Sequence, residues 1–301
     1  MAEPATRVLL PPQTGGRPIN GILRDEFATN LILLAPAVAL IAFVFVLPLV
    51  LVLKSSVMTR DGLSLFYFAK FLSDPFYLGI LWRTLRLGLL GTLATFLPGY
   101  VLAFNVVFHP SRRFRTVIVV VMLIPLVTNL VIRVFGWMTI LSPAGTIHEI
   151  LALLGFGSVR VNLLFTETAI TIGFVHSHMT FMVLPIVAAL SKIDLKLVRA
   201  AENLGANSWR TLYRVILPLS LPGIVSGSLL CFALNISDFV IPALMGGERI
   251  RMMTYLIYEQ QLVLANDTFA AAQTVILMTL AALAIFGGLL LAAKCGRRFA
   301  L

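Results

Sequence analysis

The chain has 301 residues, 59% hydrophobic and 12% charged, with a mean hydropathy of +0.98. Soluble globular chains carry about 25% charged residues, so a soluble fold is excluded and an all-α, polytopic membrane protein is expected. The net charge of +10, from 23 Lys+Arg against 13 Asp+Glu, belongs first to loop topology in such a chain and implies no nucleic-acid partner.

A helix needs about 20 apolar residues to cross the ~30 Å hydrocarbon core, and lipid leaves the backbone no other way to satisfy its hydrogen bonds in a lone segment. Six runs qualify. Residues 1–29 form an N-terminal tail, and the first span is Asn30 to Leu53. It is too long for a signal-peptide core and follows Asp25 and Glu26, so it reads as an uncleaved helix. Residues 54–86 follow as a segment whose part from Leu63 to Trp82 is rich in aromatics, either lying in the membrane interface or packed as a cap. Residues 87–293 make a five-helix core. Its spans are Leu87 to Phe108, a third beginning at Thr116 and passing Arg133, Thr168 to Leu190, Pro222 to Leu244, and Ala270 to Ala293. Residues 294–301 form the C-terminal tail.

Basic residues alternate in density along this series. Fourteen of the 23 fall on the side of the termini: Arg7, Arg17, Arg24, Arg112, Arg113, Arg115, Lys192, Lys196, Arg199, Arg210, Arg214, Lys294, Arg297 and Arg298. Nine, including Arg83, Arg86 and Arg133, fall on the other. Cytoplasmic loops retain Lys and Arg, so both termini are expected in the cytoplasm. Arg297 and Arg298 are expected to hold the last helix against anionic lipid.

No phosphate-binding G-x-x-x-x-G-K-[ST], H-E-x-x-H or G-x-S-x-G is present. His176 and His178 lie two apart, on different helix faces, and are poorly placed to chelate one metal. No catalytic residue and no cofactor is expected on this chain. Cys231 and Cys295 are too few for a disulfide framework and read as small hydrophobes.

The long polar loop 191–221 has a helical pattern. Leu195, Val198, Ala201 and Leu204 recur at three-residue steps before Gly205, a natural stop. Asn207 or Ser208 can cap a second helix with Trp209, Leu212, Tyr213 and Ile216 on one stripe, after which Pro218 and Pro222 are expected to bend the chain into the fifth span. An apolar face standing in water should dock on another protein. Within the fifth span, Asp238 is an acid deep in an apolar run, which costs at least about 2.5 kcal/mol unless it faces protein or water. Contact with a cationic solute and a structural or gating role both remain open for it. Arg133 is expected to snorkel to the interface. Gly223 and Gly227 form a G-x-x-x-G that can bring two helices close, either a chance match or a contact with another subunit.

Arg199-Ala200-Ala201, then Gly205, Val215 and Leu217-Pro218, resembles the Glu-Ala-Ala…Gly…Ile-x-Leu-Pro loop of permease subunits of type I ATP-binding-cassette importers. Arg199 replaces the leading glutamate, with Glu202 one turn later, and Val215 replaces the isoleucine. The stretch from Asn235 through Ser237, Asp238 and Phe239 to Gly247 is similar to the Gly-Asp-Phe-x-x-Pro-x-Leu-x-Gly-Gly segment of the spermidine/putrescine branch, with Ser237 in place of glycine. The resemblance implies an inner-membrane permease that pairs with a second permease, two ATPase subunits holding ATP and Mg, and an extracytoplasmic solute-binding protein. It implies an ATPase-coupling role for Arg199, Ala200, Ala201, Glu202, Gly205, Val215, Leu217 and Pro218. Asp238, Ser237, Phe239 and His178 are candidates for the solute path or gate. A polyamine is the expected solute, with iron(III), an opine or a phosphonate as alternatives, and an ATP-independent channel as a further one.

Overall fold

The computed structural model describes residues 19–59, 62–143, 145–151, 153 and 163–299, with side chains described for 34–58, 62–143, 145–150, 153 and 163–290. Arg7, Arg17, Arg60 and Arg160 lie outside the described residues, and the side chains of Arg24, Lys294, Cys295, Arg297 and Arg298 outside the described side chains. The chain divides into two compact units, one ending at Val52 and one starting at Leu53.

The first unit is carried by helix α1 (Ile19–Val57), which contains Pro36 and Pro48 and exposes its side chains from Leu34 to Leu51. In the second unit, a two-residue hairpin, β1 (Met58–Thr59) antiparallel to β2 (Gly62–Leu63), leads to α2 (Phe66–Ser73). Asp74 then caps α3 (Pro75–Phe108), accepting from the Phe76 backbone N–H at 2.9 Å while Pro75 starts the helix. This helix has 34 residues, about 50 Å at 1.5 Å per residue. The second span therefore begins well before Leu87: residues 75–86, expected in the preceding segment, are its first turns. Arg83 and Arg86 sit on it, and Arg86 is ion-paired with Glu167.

The third span is two helices. Pro125 weakens the end of α4 (Arg112–Val127), and Asn129 starts α5 (Leu130–Leu141) by accepting from the Val131 N–H at 2.8 Å. A short α6 (Thr146–Leu151) follows. Then come α7 (Glu167–Leu190), α8 (Leu195–Asn203), α9 (Ser208–Thr211), α10 (Leu217–Ser237), α11 (Met253–Tyr258) and α12 (Asp267–Phe299). Among the described residues, six helical stretches are long and apolar enough to cross a membrane.

Helix α7 is the axis of the second unit, packed mainly against α3 and α10, with α4 and α5 alongside. Two cores are stacked along it. Ile170 and Phe174 pack with Leu87, Val134, Ile241 and Met245 at one end, and Met182, Ile186 and Leu190 pack with Ala103, Met122 and Ile216 at the other. A third core joins Phe71, Ile80, Met253, Leu256 and Phe269 beneath α2. Part of the aromatic segment packs into this cap core and part stays exposed. Phe71 is buried, and Tyr77 stacks on it at 5.6 Å and meets Phe269 edge-on at 5.1 Å, while Phe66, Phe76 and Trp82 stay exposed.

In lipid, apolar side chains gain little by leaving their surroundings, so helix association depends on close packing and polar bonds. Gly223 and Gly227 supply the close packing within the chain. A Cβ on Gly223 would lie 2.6 Å from the Pro185 carbonyl oxygen, and one on Gly227 2.8 Å from that of Met182. Both glycines therefore let α10 lie against α7. Gly227→Leu is expected to destabilise the protein by about 1–3 kcal/mol through overpacking, read as a lower melting temperature in nanodiscs. Gly79→Ala, where a Cβ meets nothing within 4 Å, is expected to leave the melting temperature unlowered.

Candidate functional site

At the end of the bundle beyond Leu190, the chain forms the expected helix pair. Asp194 caps α8 by accepting from Lys196 N–H at 2.9 Å. The C-terminus of α8 closes in a Schellman motif: Gly205 N–H donates to the Glu202 carbonyl at 2.9 Å and Ala206 N–H to the Ala201 carbonyl at 3.0 Å. Gly205 adopts φ +80° there, a conformation that costs a side-chain-bearing residue about 1 kcal/mol or more. Asn207 then caps α9, accepting from Arg210 N–H at 2.9 Å.

The second half runs into the fifth span with no break in the helix at Pro218 or Pro222. Residues Leu212–Ile216 form one wide π turn, in which Leu217 N–H donates to the Leu212 carbonyl, and α10 continues from it. Pro218 falls in the first turn of α10, where a missing N–H is tolerated. Ser208–Ser237 is therefore one helical rod of 30 residues, about 45 Å long.

The wide turn also splits the predicted stripe. Ile216 is buried and Leu212 half-buried, while Trp209 and Tyr213 stack on each other at 6.0 Å and stay exposed. On α8, Val198 and Ala201 are half-buried, whereas Leu195 and Leu204 are open, Leu204 at 88% exposure and Trp209 at 67%. Between this pair and the end of α3 lies a cavity of about 390 Å³, lined by Phe104, Phe108, Val198, Glu202, Trp209 and Leu212 among others. Arg199 and Ala200 are exposed, and Val215, Leu217 and Pro218 are half-buried.

Inside the bundle the structure brings together residues that the sequence keeps far apart. Asn235, fully buried on α10, donates from Nδ2 to the Gly88 carbonyl and to Thr92 Oγ1 on α3, both at 3.1 Å. Its Oδ1 consequently faces His178 Nδ1 on α7 at 2.7 Å. An amide oxygen only accepts, so His178 donates from Nδ1. His178 Nε2 then turns to the Asp238 carboxylate, 3.7 Å from Oδ2. Asp238 ends α10, and its Oδ1 accepts from the Ile241 N–H at 3.1 Å. Its carbonyl accepts from Thr254 Oγ1 at 2.8 Å.

Arg133, on α5, is half-buried. Its Nε and Nη1 are buried without a hydrogen-bond partner, within electrostatic reach of Asp238, His176 and His178. Arg133 is thus a permanent positive charge within electrostatic reach of the Asp238 carboxylate, and His178 adds to it only when both of its nitrogens carry protons. Ser237 is exposed and bonds only back along its own helix, from Oγ to the Ala233 carbonyl at 2.8 Å and the Leu234 carbonyl at 3.2 Å. Phe239 is half-buried beside Tyr255 and Tyr258. Cys231 is buried and donates to the His178 carbonyl at 3.4 Å, packing as a small hydrophobe. Asn235 and Thr92 were not singled out in the sequence; a polar amide within an apolar run was the available signal.

The exposed Trp209 and Tyr213 and the Asn235 of the three-helix polar junction lie on one continuous helix, Ser208–Ser237. The chain belongs to the family of binding-protein-dependent transport system inner membrane components, whose model matches residues 25–294. That family makes it a multi-pass inner-membrane subunit of a transporter. It is 34% identical over 251 residues to the spermidine/putrescine transport system permease protein PotB of Haemophilus influenzae, covering 81% of this chain and 87% of the relative. To PotB of Escherichia coli it is 33% identical over 247 residues (79% and 88% covered). To the E. coli inner membrane ABC transporter permease protein YdcU it is 28% identical over 223 residues (70% and 71%). In fold it is similar to a chain of a bacterial ABC transporter that imports the acidic polysaccharide alginate, with TM-score 0.76 and 20% identity, covering 94% of this chain and 99% of that one. A chain of the inward-facing MetNI methionine ABC transporter is similar at TM-score 0.56 and 18% identity (74% and 99%).

Asn235→Leu leaves His178 Nδ1 and Thr92 without their partner. It is expected to cost about 1–2 kcal/mol, and Thr92→Val, which removes one acceptor, about 0.6 kcal/mol. Both are read as melting shifts in nanodiscs.

Proposed function

We propose that this chain is the permease subunit through which an ATP-powered importer moves a small cationic solute, a polyamine such as spermidine or putrescine, across the inner membrane. Both termini and the α8–α9 pair face the cytoplasm, in line with the bias of Lys and Arg toward that side. ATP and Mg belong to two ATPase subunits docked on the pair, and a second permease and a solute-binding protein complete the importer. The observation that carries the reading is the uncovered apolar surface of Leu195, Leu204, Trp209 and Tyr213 at the foot of a continuous rod. The PotB relatives support the solute class.

In this mechanism Arg199, Ala200, Ala201, Glu202 and Gly205 form the turn that meets the ATPase, and Val215, Leu217 and Pro218 begin the lever. Closure of the ATPase pair moves α9, and the rod carries that motion to Asn235 and Asp238 without an intervening hinge. Shifting α10 against α7 pulls Asp238 and Asn235 from His178, so the junction opens as a unit. Asp238, His178, Ser237 and Phe239 act as the gate. In this reading Asp238 gates and does not hold solute, because its side chain is 7% exposed and Arg133 stands within electrostatic reach of its charge.

Gly205→Pro cannot adopt φ +80°; it is expected to abolish co-purification of a tagged ATPase subunit while the chain still inserts. Retained co-purification would refute docking at this turn. Asp238→Asn is expected to leave the complex assembled and to lower maximal polyamine uptake about tenfold, equivalent to about 1.4 kcal/mol, with half-saturation unchanged. Solute flux in proteoliposomes without ATP would instead support a channel.

A further inference from the structure

At the end of the bundle opposite the helix pair, the hairpin between α10 and α12 builds a second cluster around three aromatic rings. Phe239 lies 4.8 Å from Tyr258 and, nearly parallel at 14°, 6.5 Å from Tyr255. The Arg251 guanidinium stands over the Tyr255 ring, 5.8 Å from its centroid. From the same position Arg251 Nη1 donates to Glu259, 3.2 Å from Oε2 and 3.5 Å from Oε1. Tyr258 is exposed, and the Arg251 and Glu259 side chains retain 31% and 25% of their exposure. The Asp238 side chain keeps 7%.

Aromatic faces beside a carboxylate are the chemistry that holds an alkylammonium: the ring quadrupole attracts the cation and the carboxylate accepts its N–H bonds. Here a cation of the chain itself occupies that position. Lys70 also stands over a ring, 5.1 Å from the Phe269 centroid, but Phe269 is buried in the cap core and no ion pair of Lys70 occurs among the described residues. That contact ties α2 to α12. The Arg251 position differs because the rings and Glu259 remain open to water.

We propose that Phe239, Tyr255, Tyr258 and Glu259 form an alkylammonium subsite on the solute path, which Arg251 fills as a placeholder until an ammonium group of the solute displaces it. This rests on the polyamine reading of the solute. The subsite is linked to the gate, since Thr254 on the same helix as Tyr255 bonds the Asp238 carbonyl and Phe239 follows Asp238 directly. Recognition of positive charge then falls on Glu259 at the open end, ahead of Asp238 within the bundle.

The test separates this role from a merely structural ion pair, because the two partners of a structural pair must fail alike. Binding of radiolabelled spermidine is measured on the permease–ATPase complex in nanodiscs, without the solute-binding protein. Glu259→Gln is expected to weaken binding about tenfold, the worth of one charge-assisted contact, and Tyr258→Leu, at an exposed ring, to weaken it several-fold. Arg251→Gln vacates the subsite and is expected to tighten binding. Opposite shifts for Glu259→Gln and Arg251→Gln support the subsite. Equal shifts, no shift, or no saturable binding by the unaltered complex overturn it. Should Glu259→Gln not assemble, Tyr258→Leu against Arg251→Gln decides by the same opposition of sign. Uptake by the complete unaltered importer is measured in parallel. Spermidine uptake with equal shifts sinks the subsite alone, and absence of polyamine uptake sinks the solute reading together with it.

Discussion

A single buried amide organises the middle of this membrane bundle. Asn235 bonds α3 through Gly88 and Thr92 and α7 through His178, so three helices meet at one side chain. In hydrocarbon an unpaired polar group has no water to fall back on, and each such bond is worth about 0.6–2 kcal/mol. Apolar packing, which drives folding in water, gains little among lipid tails that are equally apolar. The bond therefore sets register as well as stability: sliding α10 along α7 breaks Asn235, Asp238 and the Gly223–Gly227 contact together.

In the proposed mechanism that common dependence favours two discrete arrangements over a continuous drift, the condition for a gate. The rod from Ser208 to Ser237 makes the gate addressable from a distance. A wide π turn at Leu212–Ile216 admits Pro218 without a break, and the helix that leaves the membrane is the same helix that carries Asn235. Force at Trp209 needs no relay of loops to reach His178. In the proposed mechanism charge recognition and gating fall on different residues: the Asp238 side chain is 7% exposed and that of Glu259 25%.

Much of this was legible from residue order. The span count follows from hydropathy, because lipid accepts few alternatives to a long apolar helix. The cap at Asn207 and the stop at Gly205 are local chemistry, set within four residues. The Arg199–Pro218 spacing pointed to the family that the comparison then established. Less legible were the joints. Pro218 and Pro222 read as a bend, since proline removes a donor, but the helix runs on through both. Pro125, with the Asn129 cap, divides the third span in two.

The residue order alone settled the class of environment, the approximate spans and the self-contained helix pair, because each depends on interactions between near neighbours. Only the folded bundle decided the partners of Asn235, the approach of Arg133 to Asp238, and the meeting of Phe239 with Tyr255, Tyr258 and the Arg251–Glu259 pair. Asn235 and Thr92 are separated by 143 positions. No periodicity reaches that far: which polar side chains must find one another is fixed by where the close glycine contact allows α10 to lie against α7.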